Sequence, residues 1–350
     1  MLRIGVVGAG FMGRAHCQAY QQIPEVEEIH LLTLRHTVPQ AKSLAAEYSK
    51  IVAIETSLDA LFEAGIHALD ICTPTPSHAS LLRAAIAQQT PVLCEKPIDL
   101  DFRRARALVA EADSAGVPLM VAQVIRFWPE YIYLRDTIRS GRLGALMHLA
   151  MERYSPMPGW SDGDWFRNLE ASGGALFDLH VHDIDFARDV LGLPRAISCC
   201  GRTRDHKAYT DVFTTLVFDA PYTVTAFASY EMPRSVPFRM KYRALFESGM
   251  LEYDIQQKPT LVEYDENVRS AIDLSSEVNG YRAECSYFAR CVARREAPDE
   301  ASGSSAAETI RLLHLVHDSA ARQGSWIGVE PYATSLCDRE SAAKSDRSQQ

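Results

Sequence analysis

The sequence predicts an α/β chain: a doubly wound parallel sheet followed by an α+β domain with an open-faced, mostly antiparallel sheet. Short apolar runs alternate with helical patterns as far as residue 122, a glycine-rich turn follows the first run, and β-rich runs then succeed one another across short turns. In 350 residues, 47% apolar and 23% charged, there is material for about two domains with a sizeable core. The net charge of −9 and the scattered Lys and Arg argue against a nucleic-acid partner. No apolar run approaches membrane-spanning length, and no basic-then-apolar leader precedes the first strand, so no membrane is expected and the chain reads as cytoplasmic. Eight cysteines include no C-x-x-C pair, and Cys17, Cys72 and Cys94 fall in expected helix or strand, which suits reduced, buried thiols.

Residues 3–7 read as the first strand, and 14–20 as the helix after Gly8-Ala9-Gly10-Phe11-Met12-Gly13. Strand, G-x-G-x-x-G turn and helix start together form a dinucleotide-binding unit. Gly8 permits the turn, Gly10 lets backbone N–H groups approach a pyrophosphate, Gly13 allows close helix packing, and Phe11 and Met12 complete the cradle. The second strand, 29–34, ends at Arg35, where an acid would ordinarily hold the ribose hydroxyls of NAD. A guanidinium there pairs with a 2′-phosphate or stacks on adenine, so NADP is favoured over NAD. Further strands are expected at 51–54, 68–72, 92–93 and 119–121, with helices at 41–48, 58–64, 77–88 and 101–115. Thr73-Pro74 leaves the fourth strand, Ser77 is placed to cap the next helix, and His78 is either a site residue or an ordinary first-turn residue. Lys96, in Cys94-Glu95-Lys96-Pro97, emerges at the carboxyl end of the fifth strand, where open α/β sheets place their ligands.

Beyond residue 122 a helix is expected at 129–140, then strands at 143–154, 196–203, 212–218, 222–230, 238–247 and 250–253, with helices at 174–191, 282–295 and 305–323. Residues 219–221 and 248–249 read as hairpin connections. The expected organisation is a cofactor-binding domain over 1–122, a substrate-binding and oligomerisation domain over 123–334, and a polar, disordered tail over 335–350. A sheet with one bare face must cover it, so a homo-oligomer, dimer or tetramer, is expected.

The second domain carries Gly173-Gly174-Ala175-Leu176-Phe177-Asp178-Leu179-His180-Val181-His182-Asp183-Ile184-Asp185. On one continuous helix Asp178 and His182 share a face, and a carboxylate beside an imidazole raises its basicity and orients it as a general base. The rival reading, a metal held by His180, His182, Asp183 and Asp185, is weaker because His180 and His182 point to different helix faces; no metal is expected. Arg126 leaves the last strand of the first domain and either binds substrate or pairs with an acid between the domains. Trp160 and Trp165, with Asp162 and Asp164 in the same loop, either stack on a sugar or pack the loop.

Taken together, Gly8-x-Gly10-x-x-Gly13, Thr73-Pro74 with His78, Glu95-Lys96-Pro97, and Gly173-Gly174 followed by Asp178-x-x-x-His182 resemble the Gfo/Idh/MocA oxidoreductases. The resemblance runs over nearly the whole chain. It implies a Rossmann domain, an open-faced second sheet, and nicotinamide-dependent oxidation or reduction of a secondary alcohol of a sugar, cyclic polyol or related carbohydrate. It also implies a catalytic trio of Lys96, Asp178 and His182, and cofactor contacts from Thr73, Pro74, His78, Glu95 and Lys96. His182, which would also touch substrate, takes the hydroxyl proton with a pKa near neutrality, Asp178 orients it, and Lys96 steadies the oxygen. Thr75 and His180 depart from the family's usual Asn and Gly, which bears on nicotinamide contacts and substrate fit. Two other functions remain open: an NAD-dependent glycosidase that oxidises its substrate transiently, and a cofactor-binding regulator without catalysis.

Overall fold

The computed structural model describes residues 1–159, 162–204, 208–274 and 279–331. Six short strands build the first sheet: β1 (Leu2–Val7), β2 (Val26–Leu32), β3 (Ile51–Glu55), β4 (Ala68–Ile71), β5 (Val92–Glu95) and β6 (Leu119–Ala122). Between them lie α1 (Phe11–Gln21), α2 (Val38–Glu47), α3 (Leu58–Glu63), α4 (His78–Ala87) and α5 (Phe102–Ala115). The order is β3-β2-β1-β4-β5-β6 with every pair parallel, so β1 and β4 flank the switch in winding direction. β4, β5 and β6 are buried at every position, as strands covered on both faces must be. The expected Rossmann architecture is present, with boundaries shifted by at most a few residues.

One expected cap is corrected. Ser77 precedes α4, but its hydroxyl donates back to Thr73 Oγ1 at 2.6 Å and to the Pro74 carbonyl at 2.8 Å. It ties the β4–α4 connection to itself. Asp101 does cap α5, accepting from the Arg104 N–H at 2.9 Å, a contact worth about 1 kcal/mol, and Gly116 closes that helix in the left-handed region at φ +68°.

The second half contains α6 (Pro129–Ser140), β7 (Leu146–Tyr154), α7 (Leu169–Ser172), α8 (Gly174–Asp178), α9 (His180–Leu191), β8 (Ala196–Arg204), β9 (Ala208–Val217), β10 (Thr223–Ser229), β11 (Arg239–Phe246), β12 (Gly249–Asp254), β13 (Leu261–Tyr264), β14 (Arg269–Ile272), α10 (Gly280–Arg294), α11 (Gly303–Ala321) and β15 (Ile327–Gly328). The nine strands form one sheet, β14-β13-β12-β11-β7-β10-β9-β8-β15, antiparallel except where β7 meets β10. β13, β14 and β15 were not foreseen; they are short edge additions. Helices cover one face. There Tyr131 of α6 meets Phe186 of α9 at 4.9 Å and Tyr242 of β11 at 5.2 Å, both edge-on, a geometry worth about 0.5–1.5 kcal/mol each beyond burial. Among the described residues no element covers the opposite face, where Phe213 is 48% and Leu245 41% exposed.

The expected helix over 174–191 is broken at Leu179 into α8 and α9. The last two long helices return to the first sheet: Cys285, Phe288 and Ala289 of α10 join the core beneath α1 and β1, and the Ala301 carbonyl before α11 accepts the Val121 N–H at 2.9 Å. Trp160 and the expected tail over 335–350 lie outside the described residues, as do the side chains of Asp162 and Asp164.

Candidate active site

The apolar strand β5 delivers Lys96 to the carboxyl edge of the first sheet, through a buried Glu95 and into a cis Lys96–Pro97 peptide. From there Lys96 Nζ reaches Asp178 at the end of α8, 2.6 Å from Oδ1 and 2.8 Å from the main-chain oxygen. The two side chains are 13% and 14% exposed, so the pair bridges the two halves of the chain where little water screens it. The other carboxylate oxygen of Asp178 accepts from the hydroxyl of Tyr230, just past β10. Burial first, and then the Asp178 charge, push the Tyr230 phenol well above its usual range, so it stays protonated as a donor.

His182 stands in the first turn of α9, one break in the helix beyond Asp178. The expected Asp178–His182 bond is absent, and the two carboxylate oxygens bind Lys96 and Tyr230. His182 Nδ1 is buried without a partner. Burial, and after it the charges of Lys96 and Arg153, hold the imidazole well below its ordinary value of 6.5. The near-neutral pKa expected of a carboxylate-supported base is therefore corrected: no carboxylate supports this ring, and two cations face it.

Arg126 takes the second of its two expected readings and pairs with acids. It is 3% exposed, with Nε and Nη2 donating to the two Asp185 oxygens and Nη1 to Asp189, each at 2.7 Å. His78 is corrected as a direct cofactor contact. It is fully buried, its Nδ1 3.0 Å from the Pro97 carbonyl and its Nε2 2.8 Å from the Thr73 carbonyl. It clamps the loops after β4 and β5 together instead. The four residues of the metal reading do not converge: Asp183 binds Arg153 at 2.9 Å, Asp185 binds Arg126, and His180 Nε2 lies 2.8 Å from Thr214 Oγ1. Trp165 packs on Phe166, with ring centroids 4.5 Å apart.

The glycine turn has the shape a dinucleotide diphosphate requires. Gly8 lies at φ +111°, a Cβ on Gly13 would stand 1.9 Å from the Gly8 carbonyl oxygen, and a Cβ on Gly10 would meet nothing within 4 Å. The open space lies over the start of α1, whose first turn has neither a side-chain cap nor an acid to occupy its N–H groups. Phe11 is 55% exposed there and Met12 half-buried. Arg35 opens a 3₁₀ turn, Arg35–Thr37, directly after β2 and is exposed. Thr37 turns inward, donating to the Leu34 carbonyl at 3.0 Å, and β3 sets Glu55 opposite Leu32, so an acid reaches this sheet edge from a neighbouring strand.

Sequence reasoning missed Tyr230, which carries no local signal, and a buried network under the glycine turn. In that network His16 Nδ1 lies 2.8 Å from Asp70 Oδ2 and its Nε2 3.4 Å from Glu95 Oε1, while Glu95 Oε2 accepts the Lys96 N–H at 3.1 Å. Asp70 inside the apolar run Ala68-Leu69-Asp70-Ile71 was a usable signal, because a carboxylate in a buried strand needs a partner.

Residues 2–123 match the family described as an oxidoreductase family with an NAD-binding Rossmann fold, and residues 131–252 match the GFO/IDH/MocA C-terminal domain. The chain belongs to the Gfo/Idh/MocA oxidoreductases. Among relatives of this family, an inositol 2-dehydrogenase of Rhizobium meliloti (strain 1021) is 32% identical over 196 residues, 55% of each chain. The chain thus spans about half the length of the curated relatives it matches. A solved myo-inositol dehydrogenase from Corynebacterium glutamicum ATCC 13032 superposes with a TM-score of 0.77 at 23% identity, covering 95% of this chain and 99% of that one. A levoglucosan dehydrogenase in complex with NADH and levoglucosan gives 0.81 at 18% identity, covering 94% and 100%. These structural likenesses establish the shared Gfo/Idh/MocA fold.

Proposed function

We propose that this chain is a nicotinamide-dependent dehydrogenase acting on a secondary alcohol of a sugar, cyclic polyol or related carbohydrate. The observation that carries the proposal is the Lys96–Asp178 pair, joined at 2.6 Å between the end of β5 and the end of α8 beside His182. Members of the family named above as inositol and levoglucosan dehydrogenases support the substrate class. Gly8, Gly10, Phe11, Met12 and Gly13 would hold the dinucleotide diphosphate, with Thr73, Pro74, Glu95 and Lys96 toward the nicotinamide. When bound, the nicotinamide supplies the two-electron acceptor.

The chain's own groups manage the proton and the charge. With Nδ1 of His182 sealed, Nε2 is the nitrogen that receives the hydroxyl proton, and a depressed pKa keeps it unprotonated and ready. Lys96 places a positive charge where alkoxide character develops, and Asp178, anchored by Tyr230, fixes the ammonium in position. A regulator that only binds cofactor has no use for so desolvated an arrangement.

NADP is favoured over NAD because Arg35 has no partner among the described residues and follows β2, at the sheet edge where an adenosine ribose would lie. A bare sheet face bearing Phe213, Leu245 and the Tyr154–Phe227 pair, centroids 6.1 Å apart, favours a homo-oligomer built on that face. Cys17, Cys72, Cys94, Cys199, Cys285 and Cys291 are unpaired and buried, which suits a reducing cytoplasm. Among the described residues no helix is long and apolar enough to cross a membrane.

The test is a screen of purified protein against sugars, inositols, glycosides and sugar ketones with each nicotinamide, following reduced-cofactor absorbance and product mass. Net cofactor reduction with an unbroken carbon skeleton is expected. Glycoside cleavage without net cofactor change would replace this function with a glycosidase.

A further inference from the structure

Beside Tyr230 lies a cavity of about 400 Å³, a size common among small-molecule sites. Its apolar wall is Pro156, Met157, Leu169 and Met232, and its polar lining is Arg167, Arg204, Arg234 and Glu231 around Tyr230. The ends of β7 and β10 form its floor, where Pro156 and Glu231 bridge the two strands. Tyr230 lies between the cavity and the reacting centre: it lines the cavity, its hydroxyl is bound to Asp178, and Asp178 is bound to Lys96.

The lining is unbalanced in charge and in hydrogen-bonding sense. Among the described residues three guanidinium groups and one carboxylate line the cavity, with Arg167 itself engaged, in a chain whose net charge is −9. Glu231 is already held by Arg204 Nη2 at 2.5 Å. Arg234 is exposed and has no partner among the described residues. A neutral sugar hydroxyl needs an acceptor as well as donors, whereas a guanidinium offers donors only. The group that satisfies such a lining accepts hydrogen bonds and gives none, and its charge matches the planar fork. A carboxylate and a phosphate both meet that description.

We propose that this cavity is an anion subsite: the carbohydrate presented to Lys96 and His182 carries a carboxylate or a phosphate, which Arg204 and Arg234 bind. The proposal rests on the dehydrogenase function above and narrows its substrate class. The subsite also sets orientation, because an anion fixed at Arg204 and Arg234 leaves the rest of the sugar to extend past Tyr230 toward Asp178.

The experiment compares glucose, glucuronate and glucose 6-phosphate as probes on the full chain with oxidised nicotinamide present. Affinity is measured by titration calorimetry and kcat/KM by cofactor reduction. At least one anion is expected to bind ten times or more tighter than glucose, weakening as salt is raised, and the two anionic arms separate carboxylate from phosphate. The anion-to-glucose affinity ratio is expected to fall about tenfold to a hundredfold in Arg234→Gln and again in Arg204→Gln. Arg234 is exposed, so its replacement leaves the fold intact. Anions that bind no better than glucose, or a preference untouched by both substitutions, would overturn the subsite even if sugars are oxidised. Arginine-dependent anion binding without oxidation of any sugar would uphold the subsite while removing the dehydrogenase.

Discussion

Lys96 Nζ engages Asp178 twice, through the carboxylate at 2.6 Å and the main-chain oxygen at 2.8 Å, although the two residues are 82 positions apart. A lysine held at both points has a fixed direction as well as a charge. Replacing either Lys96 or Asp178 by Ala is therefore expected to lower kcat by two or more orders of magnitude while nicotinamide affinity stays within a few-fold, the pattern of a group that acts on the transition state. Tyr230→Phe, which loosens Asp178 on its other side, is expected to cost about tenfold. Steady-state kinetics and cofactor titration on the three variants check this; near-normal turnover in Lys96→Ala would remove it from the chemistry.

The depressed pKa of His182 changes the expected pH profile. Burial, and after it the charges of Lys96 and Arg153, keep the ring neutral well below its ordinary value of 6.5. Oxidation is therefore expected to run level from about pH 6.5 upward and to decline only well below it, while reduction, which needs the protonated ring, gains toward acid. His182→Ala is expected to abolish the acid limb and to cost at least a hundredfold in oxidation. A midpoint near neutrality in the wild type, lost in His182→Ala, would show a ring more basic than its surroundings imply.

Arg35 is expected to decide the cofactor. A charge-assisted pair with a 2′-phosphate is worth about 1.5–3 kcal/mol, on the order of tenfold to a hundredfold in affinity. The wild type is expected to bind NADP more tightly than NAD, and Arg35→Asp to reverse the order. Equal binding of both, unaltered by the substitution, would leave Glu55 on the adjoining strand as the group to examine.

The Arg126–Asp185 pair is expected to matter for folding. Arg126→Ala would strand a carboxylate that is 1% exposed, at a cost of about 3–5 kcal/mol, a large part of a typical 5–15 kcal/mol stability. Urea unfolding of the variant checks this, and a loss below about 1 kcal/mol would mean that Thr309, which also donates to Asp185 at 2.7 Å, suffices.

Much of the first half was legible because each of its elements is a local pattern: an apolar run gives a buried strand, and Gly8 and Gly13 sit where sterics leave no alternative. The same logic placed Lys96 at a strand end. It failed where partners come from far along the chain. Asp178 was assigned to His182 because four-residue spacing is all a sequence offers, yet the break at Leu179 and the long-range claims of Lys96 and Tyr230 decided otherwise. Arg126 stayed open between two readings for a related reason, since Asp185 and Asp189 lie 59 and 63 residues away. His78 sits in a first helix turn as read, but its clamp needs Pro97, on another loop.

The return of α10 and α11 to the first sheet makes the nucleotide-binding half a composite of both ends of the chain. Phe288 and Ala289 seal the floor beneath α1, and the Ala301 carbonyl completes the main-chain bonding of β6. A fragment cut at residue 122 would open that apolar floor to water and leave a strand edge bare. Swapping specificities between relatives by exchanging halves therefore requires a discontinuous graft, in which residues 280–321 travel with the amino-terminal segment and only the intervening stretch is replaced.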